Sequence, residues 1–568
     1  MIGPVRDSSN SIGCFSHTHA LKRQKPGTDP VPQDTVETGQ VFLPEPQKFQ
    51  LKGVDRPVGG HLLSDANHLK YPSTHYEIRA FAKDGQGDVR VLDVRDMVSK
   101  LQPFQHAMTW NAPGIDIGEV FEKNAQQRAA RAASEQPEPL LRVLPKDHGL
   151  HVRQMEISVD SPHDPSGGYF KQLTEIGSVE GFRMVGFTGT GKAEALNQDY
   201  AAEGLRNYTL HESDRVCAWL EDYGEPTVGG GRLNPPDMSE YYGLIADAQR
   251  RGRKERLGPL GLSADFPRQG AVQGGLYQKV SVGQGILQSA HNKTTIGYVE
   301  YGNMSSGLRQ DGTPYVLVGK DSVEITRRML ERDRGREVTT DEAMIVLASD
   351  HGVKPEQIFG IEQPGEFHVD MRMMPIGPGE FVLQDSRKAA ELNCQWLDEE
   401  LAAAGGGSQD TKASVEEKKT KLREWGEKMT AYEDLTAKDL EAAGMKVHRV
   451  AGAFPNLSRS DRDAANFFNA RHGTNDQGER YSILMGSTPK AEEYFARVLF
   501  QELKAPIDRI YFLDSGETQK TLDLQGGLKC RTKVLGDLVK DEPTPGASPK
   551  AKKAPEPVDL QVPLWGDF

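Results

Sequence analysis

The chain has 568 residues, enough for several domains or for one large repeat-built domain with appendages. Its 82 Asp and Glu against 69 Lys and Arg leave a formal charge of -13, which argues against a nucleic-acid binder relying on a broad basic surface. No apolar run reaches the ~18 residues of a membrane span, and four scattered cysteines (Cys14, Cys217, Cys394, Cys530) make neither a disulfide framework nor a CxxC pair.

Residues 1–60 are rich in Pro, Gly, Ser, Thr and Gln without sustained periodicity, so they are expected to be largely disordered. They lack the charged and apolar regions of a secretory signal, so cytoplasmic residence, or export without a classical signal peptide, is expected. Residues 61–140 carry short extended runs (HYEIRAFA, DVRVLDV) and a helical stretch over 117–133, and read as a small accessory region. From 141 onward strands are expected at LLRVLP, VRQMEISVD, FRMVGFTG, YVLVGKD and AMIVLASD, alternating with helices, one of them over 321–334. This is an α/β pattern extending to 540.

Within it, GFTGTGKA (186–193) nearly satisfies a phosphate loop, but Ala193 stands where a Ser or Thr hydroxyl would bind Mg²⁺, so a plain Gly-rich turn is favoured. Residues 360–386 place His368 and Asp370 two apart in a run read as extended, followed by a Pro/Gly turn and a second strand. On a strand the pair shares one face. Residues 387–445 read as two helices around a Gly-rich break, with Cys394 packed among apolar neighbours. A strand, helix, strand unit follows (YSILMG, 490–503, DRIYFLD), and 541–568 is a Pro, Ala and Lys tail, disordered by composition.

Three stretches offer chemistry. In TLDLQGGLKCRTKVL, Cys530 lies beside Gly526 and Gly527 and between Lys529 and Arg531, cations that favour a thiolate; it is the best nucleophile of the four cysteines. In VCAWLEDYGEPTVGGG, Trp219, Glu221, Asp222, Tyr223 and Glu225 crowd together, suited to holding a planar cation. His368 and Asp370 supply an acid/base and a carboxylate.

The order Trp-x-x-Asp, His-x-Asp and late Gly-Gly-x-x-Cys resembles the protein-arginine deiminases of the pentein superfamily of guanidine-modifying enzymes. DAQRRGRKE (247–255), SADF (263–266), YGNM (301–304), CQWLDEEL and AFPN (453–456) appear in the family's order. The resemblance covers about 145–540 and implies a pseudo-fivefold α/β propeller in which catalytic residues converge on a central pocket. It implies that Asp222 and Asp370 bracket a guanidinium, that Cys530 attacks it and that His368 moves the protons. It further implies that Trp219 lines the channel and that Arg250 or Arg251 binds the peptide backbone.

The implied activity is hydrolytic deimination of arginine in peptides or proteins, through a covalent thiouronium intermediate. A deiminase or amidinotransferase acting on a small guanidine such as agmatine or free arginine, and a non-catalytic arginine-binding propeller, are the alternatives. The chemistry requires no cofactor. Calcium is implied only by the resemblance, with Glu221, Glu225, Asp247, Asp265 and the carbonyls of Tyr301 and Met304 as ligands. Ser305 stands where a further carboxylate is expected, which weakens a hard-cation site, so calcium dependence is not the favoured expectation. The expected partner is an arginine-containing protein or peptide, with no nucleic acid and no membrane.

Overall fold

A computed structural model describes residues 60–61, 77–83, 89–92, 108–111, 126–146, 150–159, 165–189, 191–205, 207–213, 219–228, 232–236, 292–366, 368–406, 408–456, 463–523 and 526–538. Residues 1–59 and 539–568, most of the segments expected to be disordered, lie outside these. The fold is mixed α/β, with five sheets among the described residues.

One unit recurs through them: two antiparallel strands, then a third strand parallel to the second. It is built by Met304–Leu308, Pro314–Gly319 and Ile358–Ile361, and again by Met373–Gly377, Glu380–Gln384 and Lys446–Val450. Arg471–Thr474, Arg480–Leu484 and Arg509–Phe512 repeat it, as do the short strands Glu225–Pro226, Arg232–Asn234 and Asn292–Thr294. The fifth is closed by the chain's late strand: Thr532–Leu538 runs antiparallel to Leu150–Ser158, which is parallel to Arg183–Gly189. A parallel third strand needs a crossover, and helices supply it: Pro165–Glu180, Lys320–Arg334 with Thr340–Asp350, Ser386–Ala403 with Gln409–Ala442, and Pro489–Arg497. Strands Glu77–Lys83 and Met108–Asn111 add to the sheet formed by the fifth unit and its neighbour, pairing with Arg509–Phe512 and Tyr208–Ser213.

Apolar layers fill the spaces between units, as where Leu317 and Ile361 of one unit pack with Phe381 and Leu383 of the next. Phe81, Phe454, Phe467, Phe495 and Phe512 fill another layer, with Phe467 edge-on to Phe512 at 5.3 Å between ring centroids. Long aliphatic strands such as Pro314–Gly319 are apolar on both faces because helices cover one side and the neighbouring unit the other.

Two expectations are corrected. AMIVLASD is helical, part of Thr340–Asp350: Thr339 and Glu342 form a capping box, and Ala343, Val346 and Leu347 are buried on the helix. LLRVLP is no sheet strand; only Val143 makes a bridge, to Thr227, and the stretch acts as a strap between units. After Arg183–Gly189, Glu212 Oε1 accepts the helix-initial amide of Ala193 at 3.0 Å, an amide that a bound phosphate would need.

Candidate active site

The side chains that come together all stand just before the first strand of a unit. Asp222 lies in the 3-10 turn Glu221–Tyr223 ahead of Glu225–Pro226. Glu300 and Gly302 precede Met304–Leu308, His368 and Asp370 precede Met373–Gly377, Asn469 precedes Arg471–Thr474, and Cys530 lies in the short helix Leu528–Arg531 ahead of Thr532–Leu538. Equivalent ends of five units thus meet at one place.

The four residues expected to do chemistry are buried together, Asp222 being the most exposed at 8%. A nitrogen of His368, a carboxylate oxygen of Asp370 and Cys530 Sγ lie within 4.8 Å of one another. His368 Nδ1 is 4.0 Å from Asp222 Oδ1, and that oxygen accepts the Gly302 amide at 3.2 Å. A side chain at 302 would put its Cβ 2.4 Å from His368 Nδ1, so only glycine allows this approach. His368 and Asp370 do not share a strand face: His368 is extended backbone capping a 3-10 turn, Val369–Met371, that carries Asp370. The turn, rather than strand alternation, brings both to the pocket.

Two residues that sequence reasoning missed complete the arrangement. Glu300 Oε2 meets His368 Nε2 at 2.7 Å, orienting the ring. Asn469 accepts the amides of Lys529 and Cys530 through Oδ1 at 2.7 and 3.2 Å and donates from Nδ2 to Cys530 Sγ at 3.4 Å. Their one shared mark is position, each standing just ahead of the first strand of a unit.

Charge in the pocket is unbalanced toward the negative. Burial, then the neighbouring Glu300 and Asp370, push the Asp222 carboxyl up to about 7 despite His368. Burial opposes charge on His368, but Asp222, Cys530 and Glu300 outweigh it and hold the imidazole well above its usual range. Burial, with Asp370 and Asp222 beside it, pushes the Cys530 thiol up. The expectation that Lys529 and Arg531 favour the thiolate is therefore corrected. On a helix successive side chains diverge: Lys529 Nζ turns to Asp370 Oδ2 at 3.2 Å, and Arg531 lies 4.8 Å from the ring centroid of Trp219. Gly526 and Gly527 allow close packing beside Cys530. Added Cβ atoms there would meet the Trp219 ring at 2.0 Å and Asn469 Oδ1 at 2.4 Å.

Asp370 Oδ1 is buried and has no hydrogen-bond partner among the described residues. A buried carboxylate with an unsatisfied oxygen beside an acid imidazole and a thiol is suited to a cation with N–H donors, such as a guanidinium. His368, Asp370 and Cys530 also offer three metal-ligand atoms, but the Lys529 ammonium on Asp370 competes with a cation there.

Of the calcium set implied by the resemblance, Glu221 and Glu225 are committed to the protein's own cations. Lys146 Nζ donates to Glu221 Oε1 at 2.7 Å and Glu225 Oε2 at 2.6 Å, and Arg471 donates to Glu221 Oε2 at 2.7 Å. These carboxylates do not fit calcium while Lys146 holds them. Asp247, Asp265, Arg250 and Arg251 lie outside the described residues. Cys394 is a packing residue, buried against Leu397 and Leu422.

No protein-family profile matches the chain, and no curated protein matches it. Among solved structures it is similar to an X-ray structure of a protein assigned as an agmatine deiminase, at 12% identity and a TM-score of 0.42, covering 76% of this chain and 100% of that one. It is also similar to DDAH from Pseudomonas aeruginosa in complex with citrulline, at 10% identity and a TM-score of 0.26, covering 68% and 100%. Both likenesses are remote.

Proposed function

We propose that the chain is a cysteine-dependent hydrolase that deiminates a guanidinium group, and that its five strand units form a pentein-type pseudo-fivefold propeller with the site on its axis. The observation that carries the reading is the buried convergence of Cys530, His368, Asp222 and Asp370, with two carboxylates beside a thiol whose ionisation they oppose.

A guanidinium bound between Asp222 and Asp370 through paired N–H bonds neutralises the charge that keeps Cys530 protonated, so substrate binding itself lowers the thiol pKa and a proton leaves to solvent. The thiolate attacks the guanidino carbon, forming a C–S bond and moving the C=N electron pair onto nitrogen. The His368 imidazolium gives its proton to the departing nitrogen, the C–N bond breaks and ammonia leaves. Neutral His368, held by Glu300, then takes a proton from water as the oxygen attacks the thiouronium carbon. The C–S bond breaks, thiolate and imidazolium are regenerated, and the remaining hydroxyl proton is passed out with the ammonia as the ureido product forms.

Arginine in a peptide or protein is the substrate we favour, from the order of the sequence motifs. Citrulline release from an arginine peptide tests this: wild type should turn over and Cys530→Ser should not. Preference for agmatine or free arginine in direct competition would move the reading to a small guanidine. Undiminished activity in Cys530→Ser would falsify the chemistry.

A further inference from the structure

The strap that carries Lys146 is fixed on both sides. Leu144 N donates to the Pro226 carbonyl at 2.9 Å and Lys146 N to the Ser306 carbonyl at 3.0 Å, so the side chain is delivered between two units. There its ammonium closes on two carboxylates that are themselves wholly buried, Glu221 and Glu225. Glu225 Oε1 remains buried with no hydrogen-bond partner among the described residues, and the Met304 carbonyl lies 3.5 Å from Lys529 Nζ on the same side. Several oxygens converging in a buried site are what a hard divalent cation seeks.

We propose that Lys146 is a built-in counter-ion that replaces a divalent cation, so that the turn carrying Asp222 is assembled without metal. Charge counting supports this. Glu221 and Glu225 are matched by Lys146 and Arg471, two against two, with Lys529 shared toward Asp370 and the buried Lys533 amine pushed down to about 7 by burial and by Arg232. Adding a divalent cation would leave two uncompensated positive charges in a buried place, which is strongly unfavourable. Removing the Lys146 amine instead leaves one excess negative charge and free carboxylate oxygens around the space the amine filled. Lys146 touches no reacting atom; it acts as a positioning residue by holding Glu221, whose neighbour is Asp222. Only the activity readout below rests on the guanidine-hydrolase reading.

The test is calcium binding by calorimetry and thermal midpoint, with kcat and KM on an arginine peptide, in wild type and Lys146→Ala. Wild type should show neither binding heat nor a midpoint shift, and chelator should leave its activity unchanged. Lys146→Ala should bind one calcium, gain thermal stability from it and recover kcat about tenfold or more, as expected for a group that orients the reacting residues. Calcium binding by wild type that is lost in Glu225→Gln overturns the proposal. So does a folded Lys146→Ala that shows neither heat nor shift. If Lys146→Ala does not fold, the charge-balanced Lys146→Met, Glu225→Gln pair should fold and bind no calcium. Lys146→Ala should then refold when calcium is supplied, and failure to do so overturns the idea. Heat and midpoint involve no substrate, so they stand even if the chain has no deiminase activity.

Discussion

Glu221 and Asp222 are adjacent in sequence, yet they belong to two buried ionic clusters of opposite character. Around Glu221, Lys146, Arg471 and Lys529 outweigh burial and hold the carboxyl far below its usual range. Around Asp222, Glu300 and Asp370 add to burial, and its carboxyl rises to about 7. Arg471 shows what the first cluster does. It donates to Glu221 and to the Lys529 carbonyl at 2.8 Å, tying the turn of Asp222 to the turn of Cys530. A charge-matched cluster holds positions; a cluster short of positive charge is left to be completed by a ligand. The difference teaches where to look for substrate in a buried ionic core: on the side whose carboxylates are not satisfied.

The largest expected effect breaks the unsatisfied side. Asp222→Asn leaves a bound guanidinium with one face unpaired in a desolvated pocket, and turnover should fall roughly a thousandfold or more with the fold intact. Near-normal kcat in that variant would show that Asp222 is not a substrate carboxylate. Next comes the satisfied side. Arg471→Met strands Glu221 with fewer partners and should cost about 3–5 kcal/mol in denaturant unfolding. A loss under about 1 kcal/mol would mean that the cluster is not a fastening.

A smaller effect reads the field at the thiol. Because Asp370 helps to push Cys530 up, Asp370→Asn should move the pH profile of iodoacetamide alkylation at Cys530 to lower pH by about one unit or more, even as activity is lost. An unmoved profile would assign the raised thiol to burial and Asp222.

The smallest effect is on stability with pH. Asp222 has a folded pKa raised to about 7, above the unfolded carboxylate value of about 3.9. The folded state therefore binds the extra proton, and Asp222's contribution to stability falls as pH rises through that window. His368, also raised, contributes stability that is full below its unfolded pKa and lost only as pH rises through its higher folded value. Unfolding free energies of wild type should therefore decline from pH 4 to pH 7 by on the order of 1–3 kcal/mol more than those of Asp222→Asn. Parallel curves would remove Asp222 from the titration.

The residues most visible in the sequence were those whose chemistry is unusual for their surroundings. Cys530 beside two glycines, His368 with Asp370, and Asp222 in an acidic aromatic stretch could each be picked out singly, and the structure brings them together. Glu300 and Asn469 could not, since a lone Glu or Asn carries no mark of the partner it will meet 68 residues (His368) or 61 residues (Cys530) away. Helix 340–350 is ambiguous in the sequence for a related reason. Its apolar run suits either a strand or a buried helix, and only the Thr339 and Glu342 cap, with packing on both sides, decides.

By itself, then, the sequence determined the α/β alternation and the types of group available for chemistry, because local periodicity and side-chain reactivity are properties of the chain alone. The tertiary structure decided their direction and their charge state. Which way Lys529 turns, which carboxylate Lys146 neutralises, and whether a thiol is pushed up or down depend on distances between units remote in sequence, and on burial, which no single stretch contains.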